Sequence, residues 1–179
     1  VDGTTTINIT NIDADGFNAD YDTNLLGFSL VDGVATITAK NAGTATLTLT
    51  QTETDAVFGV SRTFTFNISK HTGTLALTNI LGTAYKVDDA VNIVDCYTAS
   101  NSEVEVQVAS SNTDVIAVVE GKLKAVGAGT AIVTFSQAET YKWTPLSVSQ
   151  TITVTKYDLS ASISQATATW DETINNPFA

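Results

Sequence analysis

The sequence predicts an all-β protein built from antiparallel sandwiches in tandem. Three observations point there. Thr and Val are abundant, Met is absent and charged residues make up only 15 % of the chain. Branching at Cβ suits the pleated surface of a strand. Apolar and polar residues alternate with period two through many short segments, which puts one face of each strand in a core. Finally, one turn-and-strand unit occurs twice. Gly33-Val-Ala-Thr-Ile-Thr-Ala-Lys-Asn-Ala-Gly43-Thr-Ala-Thr-Leu-Thr-Leu49 has a variant in Gly121-Lys-Leu-Lys-Ala-Val-Gly-Ala-Gly-Thr-Ala-Ile-Val-Thr-Phe135.

Aligning Gly43 with Gly129 sets an offset of 86 residues. Without a gap, Gln51 then falls on Gln137, Glu53 on Glu139, Ser61 on Ser147 and Lys70 on Lys156. Such internal repetition marks an array. In the first copy Ala45, Leu47 and Leu49 face one way and Thr46, Thr48 and Thr50 the other. Phe64, Phe66 and Ile68 point inward, as do Ile152 and Val154 in the second copy.

The second copy, residues 71–156, reads as complete. A strand spans Thr74 to Thr78, a turn lies near Val87 to Ala90, and a strand covers Val91 to Thr98. Glu103 to Val108 alternates, Ser110 to Asp114 turns, and Val115 to Val119 is apolar. A hairpin at Glu120-Gly121 leads to a short strand, Lys122 to Val126. Strands Thr130 to Gln137 and Ser147 to Thr155 close the unit. Roughly seven strands in a unit of this size fit an immunoglobulin-like sandwich. The first copy, residues 1–70, lacks its opening strands. Its Thr4 to Thr10 strand is expected to match Val104 to Val108, with the two strands before it lying ahead of Val1. Residues 157–179 resemble the start of a third repeat. There Ala168-Thr-Trp-Asp-Glu-Thr173 follows Ala84-Tyr-Lys-Val-Asp-Asp89, and Trp170 meets Tyr85 once one gap is allowed. A sandwich short of strands exposes an apolar face and an open sheet edge. The first copy is therefore expected to be covered, by residues 157–179 of this or a neighbouring chain or by an unusual pairing.

Ser110-Ser-Asn-Thr-Asp-Val-Ile-Ala-Val118, then Glu120-Gly121, Leu123 and Ala125-Val-Gly-Ala-Gly-Thr-Ala131, resembles the bacterial immunoglobulin-like domain, group 2. Ala138-Glu-Thr-Tyr-Lys142 and Gln150-Thr-Ile-Thr-Val-Thr-Lys156 resemble repeats in surface proteins of gut Bacteroidetes. The resemblance implies tandem sandwiches on extracellular adhesins or stalks, and no catalytic residues.

The net charge of −11 argues against nucleic acid, which needs clustered Lys and Arg, and against anionic lipid. No stretch reaches the ~20 apolar residues of a membrane span, and no signal peptide stands at Val1. The single cysteine, Cys96, excludes an intrachain disulfide and sits in an apolar run, as a small buried residue would. One His and one Cys do not make a zinc site of the usual ligand count. His71 falls at the junction of the repeats with no catalytic spacing around it.

The strongest candidate for specific chemistry lies in Asn11 to Asp22. Asn11, Asp13 and Asp15 alternate, Gly16 follows, and Asp22 stands six residues later. With the Phe17 carbonyl these could ligate calcium as an EF-hand loop does, alternate oxygens wrapping one ion. Asn at the first position and Asp at the last depart from that pattern. The same residues also make an ordinary solvated turn. Tyr141, Trp143, Tyr157 and Trp170 are candidates for stacking on sugars. Against that, Tyr141 stands near a corner where sandwiches often bury a Tyr. Trp143 aligns with the apolar Val57, and Trp170 with Tyr85.

The expected protein is a non-enzymatic fragment of a bacterial cell-surface or outer-membrane-attached protein, a stalk or an adhesive surface. Its partners would be neighbouring repeats and a host or glycan ligand. Carbohydrate binding and strand-exchange assembly are the alternatives.

Overall fold

The computed structural model describes residues 1–10, 12–78 and 84–161. Among these residues the N-terminal half carries six strands: β1 (Thr4–Asn8), β2 (Phe17–Tyr21), β3 (Leu26–Val31), β4 (Val34–Ala39), β5 (Gly43–Gln51) and β6 (Val60–Ile68). They form two antiparallel sheets, ordered β1-β4-β3 and β2-β5-β6. Leu26, Ala35 and Ile37 from the first sheet meet Ala45, Leu47 and Leu49 from the second in one core. Phe64, Phe66 and Ile68 pack against it half-buried. The period-two alternation thus has the expected faces.

Among the described residues, the C-terminal half carries nine strands. They are β7 (Leu75–Leu77), β8 (Ala84–Lys86), β9 (Ala90–Asn92), β10 (Tyr97–Ala99), β11 (Gln107–Ser110), β12 (Ile116–Val119), β13 (Lys122–Ala125), β14 (Gly129–Gln137) and β15 (Leu146–Thr155). The sheets are β12-β13-β9, β11-β14-β15-β8 and β10-β7. Every pairing is antiparallel except β8, which lies parallel to β15. A second core gathers Tyr85, Ile116, Leu123, Val133, Phe135 and Ile152, all essentially inaccessible.

Both hairpins, β3–β4 and β12–β13, turn on two residues with positive φ. Asp32 and Gly33 stand at 49° and 76°, Glu120 and Gly121 at 49° and 73°. This is the turn whose twist matches that of paired strands. Gly127 is required for a different reason: a Cβ there would stand 2.5 Å from the Asp114 carbonyl oxygen.

Three expectations need correction. First, β1 is not the counterpart of 104–108. Thr4, Thr5 and Thr6 pair with Thr38, Ile37 and Thr36, just as Ala90, Val91 and Asn92 pair with Lys124, Leu123 and Lys122. The offset is again 86, so β1 repeats β9. The counterpart of β11 is β2, which lies inside the stretch read as a loop. Second, the strand expected over Val91 to Thr98 is broken by a 3-10 turn, Ile93–Asp95. β9 pairs with β13 and β10 with β7, so the chain changes sheet there. Third, strand pairing begins at Gln107 rather than Glu103. The Gln137 side chain takes the Asn101 and Val104 carbonyls at 2.8 and 2.6 Å, which fixes that segment as a loop.

Candidate functional site

The junction between the two cores gathers more charged and aromatic contacts than any other region described. It begins with backbone. Val1 donates its terminal amine to the Ser69 carbonyl at 2.8 Å. Asp2 N–H donates to Ala39, and Ala39 N–H donates to Gly3. This clamp holds Asp2 at φ 55° and aims its carboxylate across the junction. Lys142 Nζ donates to Asp2 Oδ1 at 3.0 Å, and His71 Nε2 lies 3.3 Å from Oδ2.

Lys142 and Trp143 are presented by a tight turn. Thr140 Oγ1 accepts the N–H groups of both residues, and Thr140 N–H donates to the Trp143 carbonyl. Thr54 builds the same turn with Ala56 and Val57 in the N-terminal half. His71 pairs with this turn through its backbone: its N–H donates to Lys142 at 2.7 Å, and Thr144 N–H donates to its carbonyl. Its ring sits 4.8 Å from the Trp143 ring, tilted by 43°. Trp143 Nε1 donates to Glu103 Oε2. Lys70 pairs with Glu139, and Ala42 N–H reaches the Tyr141 carbonyl.

The hydrogen bond from Lys142, then that with His71, holds the Asp2 carboxyl below its ordinary range. The same bond to Asp2 raises Lys142. Exposed pairs of this kind are individually weak. Their combined value is directional, because the fork on Asp2 engages two residues of the opposite half at once.

Of the expected calcium ligands, the described ones include Asp13 and Asp22, which are held apart. Asn11 lies outside the described residues. Asp13 Oδ1 accepts the Asp15 N–H and Oδ2 accepts the Thr54 hydroxyl. Asp13 N–H donates to Gln51 Oε1. Asp15 is exposed. Phe17 opens β2, opposite Gln51. Asp22 follows β2 and caps its own turn through the Asn24 N–H. A five-residue strand spans about 17 Å at ~3.3 Å per residue, so Asp13 and Asp22 stand at opposite ends of β2, whereas an EF-hand loop wraps its ligands around one ion. Among the described residues no three His, Cys, Asp or Glu gather.

The aromatics separate as well. Tyr141 is 80 % exposed rather than buried at a corner, because only its carbonyl is engaged. Trp143 packs at the junction. Tyr157 is exposed, with the Lys86 ammonium 5.8 Å from its ring centre. Trp170 lies outside the described residues. Cys96 is buried and donates Sγ–H to the Asn92 carbonyl; burial, with Asp95 nearby, pushes its thiol up. Two features had no sequence signal: the Asp2 fork, and Phe58, 89 % exposed beside the Thr54 turn. A groove of about 490 Å³ runs beside β6, lined by Val1, Thr4, Leu26, Ile37, Phe66 and Ile68 among others.

No family model matches this sequence, and no curated protein matches it. Among solved structures, an endo-fucoidan hydrolase of glycoside hydrolase family 107 aligns over 87 % of this chain at 12 % identity, with a TM-score of 0.32. A SusE-like, surface-located polysaccharide-binding protein from Bacteroides thetaiotaomicron aligns over 86 % at 18 % identity, with a TM-score of 0.27. The chain spans only 26 % and 31 % of those two proteins. No helix among the described residues is long and apolar enough to cross a membrane.

Proposed function

We propose that the chain is a non-enzymatic spacer of a bacterial cell-surface protein. In this reading residues 1–70 and 71–156 are immunoglobulin-like repeats, and their junction holds them in one direction. The observation that carries it is the Asp2 fork to His71 and Lys142. Backbone pairing of His71 with the Thr140 turn supports the fork. A flexible tether between modules needs none of these contacts. Repeat arrays extend because each unit buries its own core and touches only its neighbours.

Small-angle scattering tests the reading. The wild-type chain should scatter as one elongated particle of narrow size distribution. The double variant Asp2→Ala, Lys142→Ala should show a broader distribution with unchanged strand content. Identical curves for the two proteins would remove the fork as the orienting device.

A second reading, glycan binding, rests on the outward ring of Tyr141 beside the junction. Aromatic faces at a surface can stack on apolar sugar faces. A glycan array probed with wild type and Tyr141→Ala separates the readings, since a spacer gives no Tyr141-dependent signal.

A further inference from the structure

The chain enters the C-terminal half at one end and leaves it at the other. His71 pairs through its backbone with Lys142 and Thr144, just ahead of β15. A Cβ at Gly73 would stand 3.0 Å from the Leu146 side chain, where β15 begins. β15 then runs for ten residues, about 33 Å at ~3.3 Å each, and hands the chain to Lys156 at the far end. Tension between His71 and Lys156 therefore acts along β15.

β8 lies on that line. It runs parallel to β15, with Ala84, Tyr85 and Lys86 opposite Thr153, Val154 and Thr155. The sense of the pairing decides what tension does. β8 stands near the start of this half and β15 closes it, so tension draws β8 back toward His71 and β15 forward toward Lys156. Parallel strands drawn this way slide along each other, and their evenly spaced bonds are loaded together. An antiparallel terminal pair would have both its free ends at one edge, and tension would open it bond by bond.

More than the ladder opposes sliding. Tyr85 is the largest of the fully buried side chains and would have to leave the core. The Thr155 hydroxyl donates to the Tyr85 carbonyl, and Lys86 Nζ donates to the Lys156 carbonyl at 3.0 Å. Val87 N–H donates to the Thr155 carbonyl at 3.3 Å. Beyond β8 the chain is fastened to β13: Asp88 N–H donates to Ala125, and Ala125 N–H donates to Asp89. Asp89 Oδ2 also accepts the Lys86 N–H at 2.7 Å. β7 meets the load before β8 does and is held to β10 by three register pairs. Its release lengthens the chain and passes the load to β8.

We propose that the β8–β15 pair is a shear clamp, through which residues 71–156 bear tension along the chain without unfolding. This rests on the spacer reading and deepens it, since a spacer with this clamp transmits pull as well as distance.

Force spectroscopy on the full chain tests the clamp. Handles at Thr72→Cys and Asp158→Cys, both exposed positions, load it in shear. Cys96 is buried and stays out of the coupling. Handles at Ala128→Cys and Asp158→Cys pull instead across the far end of the β14–β15 pair, starting where Gly129 faces Val154. Forced unfolding reads the unfolding barrier rather than equilibrium stability, so the two geometries can differ on one fold. With three register pairs sharing the load, the first geometry should need roughly threefold the rupture force of the second. Val87→Pro removes the N–H that meets Thr155 and should lower the force in the first geometry more than in the second. Thr155→Val keeps the side-chain shape, deletes the hydroxyl bond to Tyr85, and should act in the same direction; it serves if Val87→Pro does not fold. A first-geometry force equal to or below the second, or one that neither substitution lowers, overturns the clamp. Handles at 72 and 158 bypass Asp2. Either failure therefore leaves the scattering comparison at Asp2 and Lys142 standing, and loss of the clamp is distinct from loss of the spacer.

Discussion

Gln51 and Gln137 occupy the same place in the two cores, 86 residues apart, and bind different loops there. Both are nearly inaccessible, at 5 % and 2 %. Gln51 Oε1 accepts the Asp13 N–H while its Nε2 donates to Thr52. Gln137 Nε2 donates to both Asn101 and Val104. A buried amide at the end of a long strand therefore fixes the path of the segment that leads into the strand paired with it. Gln137→Ala should destabilise the chain by about 2–3 kcal/mol, because it strands one buried and one partly buried carbonyl. Gln51→Ala should cost about 1–2 kcal/mol, having fewer long-range partners to lose. Urea unfolding of both variants measures the difference; equal losses would contradict it.

The Asp2 fork should respond to pH at two distant edges. The Asp2 carboxyl is lowered from 3.8, chiefly by Lys142 and then by His71. Its contribution is therefore present above 3.8 and lost as pH falls through the lowered folded-state value. Lys142 is raised from 10.5 by Asp2. Its contribution is present below 10.5 and lost as pH rises through the raised value. Scattering profiles should broaden beyond each of those limits. Asp2→Asn should broaden at neutral pH already.

Glu120 is the least favourable residue in a hairpin turn, since its φ of 49° suits Asn or Gly. The left-handed region costs an ordinary L-residue about 1–2 kcal/mol. Glu120→Asn should raise stability by about 0.5–1 kcal/mol, relieving part of that strain. Asp32, at the same point in the other hairpin, already has a suitable side chain. Asp32→Asn should accordingly change little, and thermal melts of the two variants provide the comparison.

Asp13 acts through hydrogen bonds to the Asp15 N–H and the Thr54 hydroxyl. Asp13→Ala should cost about 1–2 kcal/mol for those bonds. Calcium and chelator should leave the wild-type melting temperature unchanged. A rise with calcium that disappears in Asp13→Ala would restore an ion to this loop.

The long strands were legible because alternation persists over them: β5, β14 and β15 turn every second residue inward, and β6 does so from Phe64 onward. The short ones were not. β8 has three residues, too few for a period, and it pairs parallel with a strand far along the chain. Val91 to Thr98 looks continuous because both sheets it serves want apolar residues; only the turn at Ile93–Asp95 reveals the change of sheet. The spacing of Asn11, Asp13, Asp15 and Asp22 suggested one loop because sequence spacing does not tell a wrapped chain from an extended one. Asp2 and Lys142 lie at opposite ends of the described chain, so nothing local to either one announces their contact.

The Thr54 and Thr140 turns share one backbone and differ in what they display. A single hydroxyl holds each shape, so the side chains at the third and fourth positions of each turn take no part in forming it. Ala56-Val57 at one turn and Lys142-Trp143 at the other are then interchangeable keys cut on one blank. Exchanging the residues at those two positions would change what each turn displays and leave its hydroxyl-held backbone in place.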